Sequence, residues 1–117
     1  MKKVYYLATC STCIRILKEL DSVLTDFKLQ DIKTDKMSSD EIDQMKTLSD
    51  SYESLFSRRA MKYKSMGLSS QDLQEKDYKK LILNEYTFLK RPIFVINDKI
   101  FIGNSAKVVE AVKAELS

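Results

Sequence analysis

The sequence has no histidine, no tryptophan, one proline, two glycines and two cysteines among 117 residues. A structural zinc site needs four nitrogen, sulfur or oxygen ligands, usually cysteine and histidine. With two cysteines and no histidine, the chain could take part in such a site only if a second subunit supplied the remaining ligands, so we expect no metal site. The composition also excludes low-complexity and disordered classes, since 44% hydrophobic and 32% charged residues are typical of a soluble globular protein.

The sequence also has no apolar run of about 18 residues, which is the length that a transmembrane helix needs. A signal peptide has a basic region, then an apolar region, then small residues. The amino terminus lacks this order, because the charged residues Arg15 and Lys18 soon follow Tyr5 and Tyr6. We therefore expect a cytoplasmic protein with no membrane partner. The net charge of +3 is too small to predict direct nucleic-acid binding.

The two cysteines form the motif Cys10-Ser11-Thr12-Cys13, between an apolar run and a helical pattern. Positions three apart on a helix lie roughly 5–6 Å from each other, a separation that a disulfide accepts. Unpaired N–H groups and the positive end of the helix dipole favour an anion at the first cysteine. Cys10 is therefore the predicted nucleophile and Cys13 the predicted resolving thiol, which attacks a mixed disulfide at Cys10.

Two other interpretations of the motif stay open. Free cysteines are often small buried hydrophobic residues without chemistry, and the pair could be half of a zinc site shared between subunits. A strand that leads into a C-x-x-C motif and a helix favours the redox interpretation. In a cytosolic protein such a pair is more often catalytic or redox-sensing than structural.

Hydrophobic periodicity predicts an α/β fold with the order βαβ, helical insert, ββα. Strands over Val4–Ala8 and Phe27–Ile32 flank a first helix of about three turns, and together they form a parallel, right-handed unit. Two further strands, Ile93–Ile96 and Lys99–Ile102, form a hairpin around Asn97-Asp98. The last helix is capped at Asn104-Ser105.

The stretch between these units, about residues 34–90, contains one glycine and no proline and is expected to be helical. A capping box, Ser38-x-x-Glu41, opens the first of its helices. The second is predicted over Ser51–Met66, where Gly67 stops it, and the third over about Asp77–Tyr86.

Two basic clusters, Arg58-Arg59-x-x-Lys62-x-Lys64 and Lys90-Arg91, have two interpretations. Charged side chains are mostly exposed, so the clusters can be solvated faces. The arginines can also form an anion site, since a planar guanidinium binds oxyanions through paired hydrogen bonds.

The order of elements, the C-x-x-C after the first strand, the helical insert and Lys90-Arg91-Pro92-Ile93 before the hairpin resemble the arsenate reductase (ArsC) family of the thioredoxin-like fold, including its Spx-type relatives. The resemblance spans nearly the whole chain, and Tyr63-Lys64-x-Met66-Gly67-Leu68 also carries it. It implies one thioredoxin-like domain over residues 1–117 with a mixed four-stranded sheet. It also implies a cis Pro92 that faces the redox cysteine, the alternative being an ordinary trans proline at a strand start.

The resemblance assigns roles residue by residue. Cys10 matches the family's nucleophile, and Arg91 matches its oxyanion-binding arginine before the cis proline. Arsenate reductases have an arginine in the insert at the position that Ser57 occupies here, and Arg58 and Arg59 are displaced from it by one and two positions. Arg59 matches the insert arginine of the Spx-type branch. Gly103 stands where arsenate reductases place a third arginine. The candidate oxyanion- or thiol-binding residues are Arg91, Pro92, Arg59, Arg58, Ser11 and Thr12.

Three functions follow from these observations. The first is a thiol oxidoreductase that acts on an oxyanion, arsenate among them, or on a disulfide, with no bound cofactor and with glutathione, glutaredoxin or thioredoxin as reductant. The second is an Spx-like regulator, whose Cys10–Cys13 disulfide switches binding to the RNA polymerase α subunit. The third is a module that binds small thiol compounds without catalysis.

Overall fold

The computed structural model describes all residues from 1 to 117 and contains one mixed sheet of four strands. The strands are β1 (Lys2–Tyr6), β2 (Lys28–Asp31), β3 (Ile93–Ile96) and β4 (Lys99–Ile102), in the spatial order β2-β1-β3-β4. β1 and β2 are parallel, whereas β3 is antiparallel to both β1 and β4. The predicted fold class and sheet are therefore confirmed.

Five α-helices accompany the sheet: α1 (Ser11–Glu19), α2 (Ser39–Ser49), α3 (Met61–Ser65), α4 (Glu75–Asn84) and α5 (Ala106–Leu116). The chain divides into two compact units, Met1–Lys36 with Arg91–Ser117, and Met37–Lys90. The interpretation of residues 1–117 as a single domain stays a prediction. None of the helices combines the length and the apolarity that crossing a bilayer requires.

The first unit buries one apolar cluster between the sheet and two helices. Side chains alternate between the two faces of a strand, so Val4 on β1 and its partner Phe94 on β3 point to the same side. Helical spacing places Ile16 and Leu20 against them, and α5 adds Val109 and Val112. The Ser105 hydroxyl accepts a hydrogen bond from the N–H of Val108 (3.2 Å), which confirms the predicted cap of α5.

The second unit is organised around an aromatic group in its interior. The ring of Phe56 stacks on Phe88 with centroids 5.0 Å apart and contacts Tyr78 at 4.9 Å and Tyr63 at 6.0 Å. The predicted capping box of α2 is confirmed, because the N–H of Glu41 donates to the Ser38 hydroxyl (3.1 Å) and the N–H of Ser38 donates to the Glu41 carboxylate (3.0 Å).

The prediction of one helix over Ser51–Met66 is wrong. Phe56 has extended backbone angles and forms an antiparallel bridge with Leu89. On either side of the bridge, the N–H of Ser57 donates to the Phe88 carbonyl (2.6 Å) and the N–H of Lys90 donates to the Leu55 carbonyl (2.8 Å). These bonds replace helical ones, so a short 3-10 helix (Glu53–Leu55) and the short helix α3 remain before Gly67, which has φ of +65°.

Candidate functional site

The C-x-x-C motif lies where β1 turns into α1. β1 ends at Tyr6, and the N–H of Cys10 donates to the Leu7 carbonyl (3.0 Å), closing a tight turn. Cys10 has extended backbone angles, while its carbonyl accepts the first helical hydrogen bond from the N–H of Ile14 (3.1 Å). Cys10 is therefore the N-cap residue, and the side chains of the motif surround the positive end of the helix.

The two thiols are close but not bonded, and they differ in exposure. Cys13 has 0% of its surface exposed, since it points to the apolar side of α1, whereas Cys10 is half-buried. Between them, Ser11 is exposed and Thr12 is half-buried. Only Cys10 can therefore be reached directly from solvent.

The surroundings of Cys10 favour its ionised form. Partial burial acts to raise the pKa of the Cys10 thiol, but interactions with the backbone N–H and the thiol of Cys13 outweigh it. The positive charge of Arg91 and the N–H of Thr12 lower the pKa further, so that it lies below the ordinary value. The backbone N–H groups at the start of α1 thus favour the thiolate, as the positive end of a helix favours an anion.

Cys13 is shifted in the opposite direction. Burial, together with the thiol and the negative charge of Cys10, raises the pKa of Cys13 to about 12, although the backbone of Leu7 and the charge of Arg91 act to lower it. The site therefore holds one thiol that ionises more readily than an ordinary cysteine and one that ionises less readily.

Arg91 and Pro92 complete the group of residues that the first unit brings together. The Arg91–Pro92 peptide bond is cis, which confirms the interpretation that the resemblance implied. Pro92 is buried, and its carbonyl accepts a hydrogen bond from the N–H of Gly103 (3.0 Å). Arg91 is half-buried, with its Nε atom inside the protein, and its charge acts on both cysteines.

The other two candidate arginines belong to the second unit and differ in their surroundings. The Arg58 guanidinium donates to the Glu53 carboxylate (2.8 Å) and to the Tyr78 hydroxyl (3.1 Å). The Arg59 side chain is exposed, and Arg59 makes one hydrogen bond through its backbone, from its N–H to the Ser57 hydroxyl (3.3 Å). Arg58 is thus held by neighbours within its unit, whereas the charge of Arg59 faces solvent.

Two parts of the site were not predicted, and both act through the backbone. Leu7 influences Cys13 through its main chain, and Gly103, with φ of +106°, fixes the Pro92 carbonyl. A main-chain contact leaves little trace in a sequence, because most residue types can make it. For Gly103 the available signal was the glycine itself, one of two in the chain, since glycine adopts a positive φ most readily.

Comparisons with known proteins agree with this architecture. A model of the ArsC family matches residues 5–112. A structure described as a possible arsenate reductase from Streptococcus mutans UA159 is 25% identical, with a TM-score of 0.77 over 97% of this chain and 98% of that chain. An arsenate reductase from Vibrio cholerae is 16% identical, with a TM-score of 0.75 over 99% and 97%.

A third structure, of a protein named YFFB, is 17% identical, with a TM-score of 0.83 over 100% of both chains. At identities of 16% and 17%, the second and third structures show a shared fold. A comparison with curated protein sequences gave no match.

Proposed function

The chain belongs to the ArsC family, and on that basis we propose that it is a thiol-dependent oxidoreductase in which Cys10 is the nucleophile and Cys13 the resolving thiol. The observation that carries this proposal is the arrangement of the pair, with Cys10 half-buried at the N-cap of α1 and Cys13 fully buried three positions later. The opposite directions of their pKa shifts support it. Burial as small hydrophobic residues would not lower the pKa of one member of the pair. Substrates are small oxyanions, arsenate among them, or disulfides.

In the first step the Cys10 thiolate attacks the electrophilic atom of the substrate. With arsenate, a sulfur–arsenic bond forms, and one arsenate oxygen leaves as water after taking up protons from solvent. With a disulfide, a mixed disulfide forms and the other sulfur leaves as a thiolate. The Arg91 guanidinium stabilises the oxyanion or the leaving thiolate through charge-assisted hydrogen bonds.

In the second step the Cys13 sulfur attacks the sulfur of Cys10. A Cys10–Cys13 disulfide forms, and the electron pair of the broken bond leaves with the product, as arsenite or as a thiolate. Once Cys10 is covalently bonded it carries no negative charge, so one cause of the high pKa of Cys13 disappears. Cys13 therefore gives up its proton more readily after the first step than before it. Glutathione, glutaredoxin or thioredoxin then reduces the disulfide.

Ser11 and Thr12 are the proposed hydroxyl-bearing residues of the anion site, and a part for Arg59 in anion binding stays a prediction. Arg58 is less suited to this role, because its guanidinium already binds Glu53 and Tyr78. An exposed guanidinium such as that of Arg59 can bind a ligand without breaking an ion pair.

The test of the proposal is reductant oxidation with arsenate or a small disulfide as substrate, with each of the three reductants. We expect Cys10→Ser to abolish turnover, and Cys13→Ser to leave activity only with glutathione, which can supply the second thiol itself. Arg15→Gln, an exposed substitution on the same helix, is the control and should retain wild-type rates. Equal rates for the wild type and Cys10→Ser would refute the proposal.

A second candidate is the Spx-like regulator, which the exposed Arg59 favours because a charge on the surface is available to a partner protein. In that case the Cys10–Cys13 disulfide changes binding to the RNA polymerase α subunit in the cytoplasm. Binding of the purified α subunit should then differ between the oxidised and reduced chain. The same affinity in both states, or none, would exclude it.

A further inference from the structure

The segment around α3 exposes cationic and apolar side chains next to each other. Residues 58–67 include four cationic residues and no anionic one. In the same segment Met61 is 89% exposed and Met66 is 49% exposed. We propose that this surface binds an acidic segment of a partner protein, in which carboxylates alternate with apolar side chains. The inference goes beyond the proposed function, because neither cysteine belongs to this segment.

Helical spacing directs Met61 away from the interior of the second unit. The ring of Tyr63 lies inward, with its centroid 6.0 Å from that of Phe56. Successive residues of a helix are about 100° apart, so Met61 lies on nearly the opposite side of α3 from Tyr63. Lys62 and Lys64 flank Met61 on its two sides, and all three side chains are exposed. A ligand that contacts Met61 therefore has a cation on each side.

The second exposed methionine continues this alternation. The N–H of Met66 donates to the Lys62 carbonyl (2.9 Å), a helical bond that places the two residues next to each other on the helix surface. The exposed cationic and apolar residues around α3 therefore follow in the order Lys64, Met61, Lys62 and Met66. These four residues form the α3 face. Methionine side chains are flexible and polarizable, which suits a surface that adapts to a partner.

Lys64 has no anionic partner in the folded chain. By contrast, Arg58 pairs with Glu53 at 2.8 Å. Lys62 pairs with Glu85, also at 2.8 Å. The Lys64 side chain is exposed and makes no such pair. It can therefore bind a carboxylate without first breaking an ion pair, and a surface with an excess of positive charge attracts an acidic partner during encounter.

A membrane or a nucleic acid fits the α3 face less well than an acidic protein segment does. α3 has five residues, and Met61 and Met66 are about 140° apart around it, so they do not form the continuous apolar stripe of a membrane-surface helix. Single-stranded nucleic acids stack on aromatic rings, but the aromatic residue of α3, Tyr63, is half-buried against Phe56. A protein segment supplies both carboxylates for the lysines and apolar side chains for the methionines.

The test is a fluorescence-anisotropy titration of a labelled peptide of Glu-Glu-Leu repeats with the full chain. We expect saturable binding that weakens as the salt concentration rises. Lys64→Glu should weaken binding by at least about tenfold, because it places like charges opposite each other. Met61→Ser should weaken binding by about tenfold, which corresponds to the loss of a buried methionine contact, and Met61→Leu should retain it. Circular dichroism of each variant verifies that it is folded.

Matched controls change the same kinds of residue elsewhere. Lys80→Glu reverses an exposed charge on α4, and Leu29→Ser removes an exposed apolar side chain from β2. Both should leave binding of the peptide unchanged. Equal affinities of the Lys64→Glu and Lys80→Glu variants, or wild-type affinity of Met61→Ser, would overturn the inference. Tighter binding of phosphatidylserine vesicles or of single-stranded RNA than of the peptide would also overturn it, in favour of a membrane or a nucleic acid. The titration contains no redox substrate, so its failure and failure of the oxidoreductase assay are independent results.

Discussion

Cys10 and Cys13 are identical side chains three residues apart, and their neighbours alone make them chemically different. Cys10 ends an extended segment and meets the N–H groups of the first helical turn, whereas Cys13 lies inside the apolar side of α1. Arg91 lowers the pKa of both thiols, so burial decides which of them stays protonated. The division of labour between attacker and resolver therefore follows from position on one helix.

A prediction at this scale concerns the pH dependence of alkylation. Iodoacetamide should modify Cys10 with a midpoint below the ordinary thiol pKa of about 8.5, since the folded protein favours its thiolate. Cys13 should stay unmodified near neutral pH, because it is buried and its pKa is about 12. Mass spectrometry of digested samples gives the two extents of modification separately.

Variants separate the causes of this behaviour. Arg91→Gln should move the midpoint of Cys10 alkylation upward, because a positive charge that favours the thiolate is removed. Arg91→Lys keeps the charge and should move it less. A wild-type midpoint at or above that of a free cysteine would contradict the assignment of Cys10 as nucleophile.

The role of a single residue could be predicted from the sequence where its chemistry depends on residues close to it in the chain. Cys10 and Cys13 could be recognised because strand, motif and helix follow one another directly, and Pro92 through the motif it shares with a known family. The contacts of Arg58 with Glu53 and Tyr78 could not be predicted. They depend on which rotamer a long side chain adopts once the insert has folded.

Among the elements, those set by local signals were predicted well. The capping box at Ser38, the turn at Asn97 with φ of +57° and the cap at Ser105 each depend on residues within about one turn. The helix predicted over Ser51–Met66 is wrong because Phe56 pairs with Leu89, 33 residues further along the chain (89 − 56 = 33). Periodicity within a window carries no information about a bridge of that length.

The capping box gives a prediction for the stability of the second unit. Ser38→Ala removes the acceptor for the N–H of Glu41 and should lower the free energy of unfolding by about 1 kcal/mol. Ser39→Ala, at the first helical position and exposed, is the matched control and should change it by less than about 0.5 kcal/mol. Urea unfolding measures both, and equal losses would mean that the cap contributes nothing.

Among the 20 cationic and 17 anionic residues, ion pairs such as Lys79–Asp43 (2.8 Å) and Lys62–Glu85 (2.8 Å) form on the folded chain. The hydrogen bond from Lys79 and then that from Tyr52 lower the pKa of Asp43, and Lys62 acts in the same way on Glu85. The partner lysines Lys79 and Lys62 have raised pKa values because of the same bonds. Lys62 is exposed, and Asp43, Lys79 and Glu85 are half-buried. Ion pairs in contact with solvent each contribute little to stability, and together they make stability depend on pH.

The direction of that dependence follows from the sign of the shifts. A carboxylate whose pKa is lower in the folded chain stabilises it above the unfolded pKa, and this contribution is lost as the pH falls through the folded value. A lysine whose pKa is raised stabilises the folded chain below its unfolded pKa, and this is lost as the pH rises through the folded value. The chain has no histidine, so no imidazole titrates between these two ranges.

We therefore expect the free energy of unfolding to fall on the acid side of about pH 5, as the paired carboxylates take up protons. Urea unfolding at a series of pH values measures it. Asp43→Asn should reduce the acid loss, because it removes a carboxylate whose pKa is lowered by Lys79 and Tyr52. An acid loss of the same size in the wild type and in Asp43→Asn would contradict the argument.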